Sequence, residues 1–207
     1  MVEELKAELL VLNLLRQVFL KEPGRDLLEG IGQIVFSPDE EGETGNLRRM
    51  LDSIHRNKAR IGEWVDELSL EFARLFIGPI HAPAVPFASF YLSESRSLMS
   101  EETLEVRKRY LKAGLALKDL HQIPDDHIAM ELEFLYYLTR EAIQSLEERR
   151  DEEASGFLTM RNDFMRDHMA LWVPFFVEKI INFSNEDFYQ GAALMLREFI
   201  DAYGRTP

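Results

Sequence analysis

The side chains best placed for chemistry stand in one run, Pro124-Asp125-Asp126-His127, with Glu131 one helical turn further on. His127 and Glu131 are four apart, so on a helix they share a face and can pair. A carboxylate–imidazole cluster of this kind can receive cationic side chains, and it can also relay protons. The plain alternative is that the aspartates complement the start of a helix and His127 is a surface side chain. On either reading Asp126 and His127 are expected to be exposed. The other histidines, at 55, 81, 121 and 168, assemble nothing comparable. The residues three before the five histidines are Asp52, Gly78, Lys118, Pro124 and Met165, so no Glu-x-x-His pair of a diiron bundle exists. A His-Glu-x-x-His zinc helix, the two glycine-rich phosphate loops and a Gly-x-Ser-x-Gly elbow are also missing. The chain has no cysteine, which removes thiolate catalysis, disulfides and cysteine-ligated metal. No catalytic residue, metal or cofactor is expected. The rival reading is an enzyme or helical ligand-binding protein using Asp126, His127 and Glu131.

A second segment, Phe76 to Tyr91, is apolar, and within it Ile77 to Phe87 carries Gly78, Pro79, Pro83 and Pro86, so that stretch is expected to be an irregular or extended loop. With Phe76, Phe87 and Tyr91 it could line an apolar groove, or it could simply pack on the core. Phe164, His168, Leu171 and Trp172 recur at helical spacing and read as packing.

Helices must position all of these. Apolar periodicity is helical almost everywhere, and no stretch alternates with the period of a strand. The first helix is expected over 3–21, stopped by Pro23-Gly24, and a shorter one over 26–35. Pro38 to Gly45 is a polar loop, and Asn46 is placed to cap a helix running to Ile54. Ile61, Trp64, Val65, Leu68, Phe72, Leu75 and Phe76 form the cleanest apolar stripe. Ser100 is placed to cap a helix over 101–117 that turns Leu104, Tyr110, Leu111 and Leu115 inward. A connector over 118–123 leads to Pro124, expected at the first position of a helix reaching Glu148. Ser155 opens a helix to Trp172, Pro174 interrupts or restarts it, and a segment to Phe183 follows. Ser184 or Asn185 caps a last helix ending at Tyr203. The expected fold is all-α: eight or nine helices in one domain over 1–207, with a possible hinge at 118–126.

Lys and Arg total 24 against 37 Asp and Glu, a net charge of −13 over 207 residues. So acidic a chain repels phosphate backbones and attracts basic peptides, so nucleic acid is not an expected partner. Hydrophobic residues at 46% suffice for a sizeable core. Charged residues through the first twenty positions argue against a signal peptide, and no window suits a transmembrane helix. A cytoplasmic protein without stable membrane insertion is expected, its oligomeric state left open.

The ordered motifs resemble the TorD/DmsD family of redox-enzyme maturation chaperones, to which the NarJ-type proteins are related. They are Glu71-Phe72-Ala73-Arg74-Leu75-Phe76 before Gly78-Pro79; Pro86-Phe87-Ala88-Ser89 and Tyr91; Gly114; Pro124-Asp125-Asp126-His127-Ile128; Glu131-Leu132-Glu133-Phe134; and Phe164, His168 and Trp172 four apart. The resemblance spans about 68–172. It departs at Ala88, where family members commonly carry a glutamate. It implies the family's own all-α fold and a cytoplasmic chaperone for the twin-arginine signal peptide of a molybdenum-cofactor oxidoreductase precursor. It further implies a peptide site at Pro124, Asp125, Asp126, His127 and Glu131, with Phe76, Phe87 and Tyr91 alongside. Some members are reported to bind guanine nucleotide; no feature of this sequence supports that. A basic segment followed by an apolar stretch would meet an apolar trough lipped by acids. The apolar part would then carry affinity and the arginines register and selectivity.

Overall fold

The computed structural model describes residues 1–34, 45–78, 82–94, 98, 101–115 and 123–204. The loop over 38–44, Pro79, His81, Ser100, His121 and the connector over 118–122 lie outside the described residues, and with them most of the expected hinge. The fold is all-α, and its described residues hold no strand. They divide into two compact units, each built from stretches far apart in sequence.

The first unit comprises 1–20, 86–173 and the end of the chain from Ile200. Its spine is α7 (Ile128–Glu147), whose buried row includes Ile128, Leu132, Leu135, Leu138 and Ala142. Helix α1 (Val2–Leu20) packs along it, with Arg16 bonded to Glu133 at 2.5 Å and lying over the Tyr136 ring. Helix α8 (Asp151–Phe164) packs against α7 as well, Phe164 meeting Phe134 edge-on at 5.1 Å. Buried Arg161 bonds Glu8 at 2.5 Å and lies over Tyr203, whose hydroxyl donates to the other oxygen of Glu8. Short α5 (Ala88–Leu92) and α6 (Glu101–Lys112) complete this unit.

The second unit comprises 21–85 and 174–199. It contains α2 (Arg25–Ile31), α3 (Gly45–Asn57), α4 (Ile61–Phe72) and most of α9 (Ala170–Phe183) and α10 (Asp187–Gly204). The stripe expected on α4 is its core face: Ile61, Trp64, Leu68, Phe72, Leu75 and Phe76 are buried and Val65 half-buried. Trp64 meets Phe188 edge-on and donates from Nε1 to Glu186, while the Tyr189 hydroxyl donates to the Leu68 carbonyl. At Gly191 a Cβ would come within 2.7 Å of Met50 Cγ and 2.8 Å of the Asn46 carbonyl, so only glycine allows α3 and α10 to approach this closely.

Several boundaries differ from the sequence expectation. Helix α7 begins at Ile128 rather than Pro124, because the Asp126 and His127 side chains serve the turn. Helix α8 begins at Asp151 rather than being capped by Ser155, three acids filling its first turn where they complement the helix dipole. Asn46 lies inside α3, its amide turned to Glu198. Pro174 does not break its helix: a π turn, Met165–Met169, joins α8 to α9, and the carbonyl Pro174 cannot serve is that of Ala170, where the π turn ends. A second π turn, Ala73–Ile77, extends α4 and ends at Gly78, whose φ of 57° favours glycine. Finally, α6 turns Tyr110 inward as expected and Leu115 is half-buried, but Thr103 and Val106 take the inward places expected of Leu104 and Leu111, which are exposed. The hydroxyls of Thr103 and Tyr110, which donate to the Asp126 carboxylate and the Asp125 carbonyl, explain it.

Candidate functional site

In the first unit, Pro124–His127 forms a clasp. The backbones of Phe87 and His127 make an isolated antiparallel bridge. In it the Ala88 amide donates to the Asp126 carbonyl at 3.0 Å, and that of Ile128 to the Pro86 carbonyl at 2.9 Å. Asp126 is fully buried: one carboxylate oxygen accepts from the Ser89 amide at 2.9 Å, the other from the Thr103 hydroxyl at 3.0 Å. Asp125, also buried, pairs with Arg107 at 2.5 Å, and its carbonyl accepts from the Tyr110 hydroxyl at 2.8 Å. One motif thus fastens the start of α5 and the inner face of α6 to the start of α7. That is why α6 buries Thr103 beside the expected Tyr110 and leaves Leu104 and Leu111 outside.

His127 is the N-cap of α7, its Nδ1 accepting from the Ala129 amide at 3.1 Å and its ring edge-on to Phe87 at 5.0 Å. Burial lowers its pKa to about 4, with the charge of Asp126 opposing only in part, so the ring is neutral at pH 7. The expected His127–Glu131 pair does not form. Glu131 is fully buried and turns instead to the second half of the unit: His168 Nε2 lies 2.6 Å from one of its oxygens, and Trp172 Nε1 donates to the other at 3.2 Å. Burial raises the pKa of Glu131, against the opposing pull of His168. Trp172 stacks on Tyr91 at 5.6 Å and His168 on Phe164 at 5.0 Å. The stretch expected only to pack therefore supplies both partners of Glu131, while its Leu171 is exposed.

The expectation of an exposed acidic lip here is thus corrected. The burial of Asp125, Asp126, His127 and Glu131 is matched by partners: Asp126 and His127 accept backbone amides, Asp125 pairs with the half-buried Arg107, and Glu131 takes two ring nitrogens that would otherwise be stranded in the core. Pro124, Phe87 and Tyr91 are half-buried and form the accessible edge of the clasp. Burial holds the Tyr91 phenol well above its ordinary pKa. Phe76 belongs to the second unit, where it is buried against Phe72, Tyr189 and Phe176 at 4.9, 5.8 and 6.0 Å. Among the described residues no three His, Asp or Glu side chains group as metal ligands, and no helix is long and apolar enough to cross a membrane.

Two signals for these partners were present in the sequence. Thr103, Arg107 and Tyr110 are three hydrogen-bonding side chains on one helix face, and of the four glutamates of α7 only Glu131 falls on the apolar face that holds Ile128, Leu132 and Leu135.

Fold and clasp define an all-α protein in which the most chemically suggestive motif serves to join helices. A family model described as nitrate reductase delta subunit matches residues 39–178. A TorD chaperone protein of Vibrio parahaemolyticus is 30% identical over 176 residues, covering 84% of this chain and 77% of the relative. That of Vibrio cholerae is 26% identical over 163 residues, covering 78% and 71%. A crystal structure from Archaeoglobus fulgidus, described as that of a candidate redox enzyme maturation protein, superposes with a TM-score of 0.55 at 25% identity, over 97% of this chain and 94% of the other. The chain belongs to the nitrate reductase delta subunit family, in which the TorD chaperones fall.

Proposed function

We propose that this protein is a system-specific maturation chaperone. In the cytoplasm it binds the twin-arginine signal peptide of a molybdenum-cofactor oxidoreductase precursor and holds the precursor until it is ready for export, with no catalysis of its own. The observation that carries the reading is the similarity to TorD chaperones over 84% of the chain. The acid excess supports it, since a net charge of −13 speeds encounter with a basic segment. Within this reading the buried Asp125, Asp126, His127 and Glu131 hold the clasp in shape. Pro124, Phe87 and Tyr91 offer an apolar edge to the peptide.

The test is a titration of a labelled peptide carrying adjacent arginines and an apolar stretch, followed by fluorescence anisotropy. Micromolar or tighter binding is expected, as is copurification of a signal-bearing metalloenzyme precursor in a pull-down. Truncating the apolar stretch should abolish most of the affinity, whereas replacing the arginines should chiefly cost selectivity. No binding by the full-length peptide, or its chemical alteration on incubation, would overturn the reading.

A further inference from the structure

The accessible acids missing from the clasp occur in the second unit, beside its most exposed large apolar side chains. Leu70 is 73% exposed and Ile77 64% on the solvent side of α4 and its π turn; Phe175 is 58% and Phe183 47% exposed on α9. Arg74, between Leu70 and Ile77, donates to the Phe183 carbonyl at 2.5 Å, so the two elements border one surface. Its charge is matched by a two-pronged pair with Glu71 at 2.7 Å. Leu70, Ile77 and Phe175, three large apolar side chains turned to water on adjoining elements, are more than the isolated cases that need no explanation, while the Phe183 ring carries the Lys179 ammonium 5.9 Å above it. Toward the N-terminus the same face of α4 continues with Glu63 and Asp66, both exposed and in no ion pair among the described residues.

We propose that this face is a binding site for the twin-arginine segment itself. The basic pair lies against Glu63 and Asp66, and the first apolar residues of the stretch cover Leu70, Ile77 and Phe175, with Lys179 over Phe183 at the border. The assignment rests on the signal-peptide reading above. Charge and length both favour it. Acids at one end and apolar residues at the other match a basic pair followed by an apolar stretch. From Glu63 to Ile77 the helix rises about 21 Å, the span of roughly six extended residues. No buried group has to be uncovered for the contact to form.

The experiment compares peptide affinity for the wild type, the double variant Leu70→Ser/Phe175→Ser, Asp66→Lys, and Leu104→Ser as an exposed apolar control from outside the face, with melting curves for each. All four positions are exposed, so melting should be unchanged. The double variant should bind roughly tenfold more weakly. Asp66→Lys should lose about threefold and discriminate less between the arginine peptide and one with glutamines there. Leu104→Ser should bind as the wild type does. Binding within twofold of wild type by both face variants, or an equal loss in Leu104→Ser, would overturn this site and leave the signal-peptide reading standing. Failure of the wild type to bind would remove that reading and the site with it.

Discussion

Protonating His127 should loosen the clasp. Burial strips the charged imidazole of solvation, which lowers the pKa from 6.5 to about 4, and protonation of Nδ1 would also remove the acceptor that caps α7. The sign follows directly. The unfolded chain takes up this proton near pH 6.5 and the folded chain only near pH 4, so between those values the unfolded state binds more protons and stability falls as pH falls. The contribution is fully present above about pH 6.5. Relative to neutral pH, roughly 2 kcal/mol is lost at pH 5, and about 3 kcal/mol once both states are protonated. His127→Asn isolates the effect, since asparagine caps a helix but does not titrate. Urea unfolding of both proteins at pH 7.5, 6 and 5 should show the wild type losing about 2 kcal/mol more than the variant over that range. Glu131 works oppositely: its raised pKa makes the fold lose stability as pH rises above about 4.5. Both proteins carry it, so its effect largely cancels in the difference. Parallel stability profiles, or a His127 ring seen by NMR to titrate near pH 6.5, would refute the reasoning.

Three further outcomes are expected. Glu131→Ala should destabilise by roughly 3–5 kcal/mol, because it strands His168 and Trp172 Nε1 in the core; Glu131→Gln, which keeps an acceptor, should cost less, as differential scanning calorimetry can show. Gly191→Ala should lose about 1–3 kcal/mol in chemical denaturation, since its methyl meets backbone as well as Met50. Arg149, the single non-glycine residue at positive φ among those described, ends α7 at φ 60°, so Arg149→Gly should raise stability by up to about 1 kcal/mol, measured as a higher melting temperature.

Where the sequence pattern and the structure agree, burial alone decides. Ile61, Trp64, Leu68 and Phe72 need nothing but an apolar face at helical spacing, and α4 forms as read. Where they diverge, polar satisfaction decides. Leu104 and Leu111 look like the inward face of α6 until Asp126 and Asp125 claim Thr103 and Tyr110, a demand set 15 to 23 residues away in sequence. His127 and Glu131 have the spacing of a pair, yet a nearer amide holds one and a ring 37 residues distant holds the other. Spacing shows which side chains can meet, not which partner each needs more. Pro174 is a break only if the preceding turn is α, and no local residue announces a π turn. The motif was legible as important; its burial was not, because exposure of an aspartate depends on what is folded over it.

The Glu8–Arg161–Tyr203 contact has a bearing on biosynthesis. Its outer members are 195 residues apart, so α1 leaves the ribosome long before the aromatic ring that completes its surroundings has been made. The apolar face of α1 is covered earlier, by α7, so it is this polar closure that waits for Tyr203. Folding should accordingly be paced by long-range closures, first of α7 onto α1 and then of Tyr203 onto Glu8.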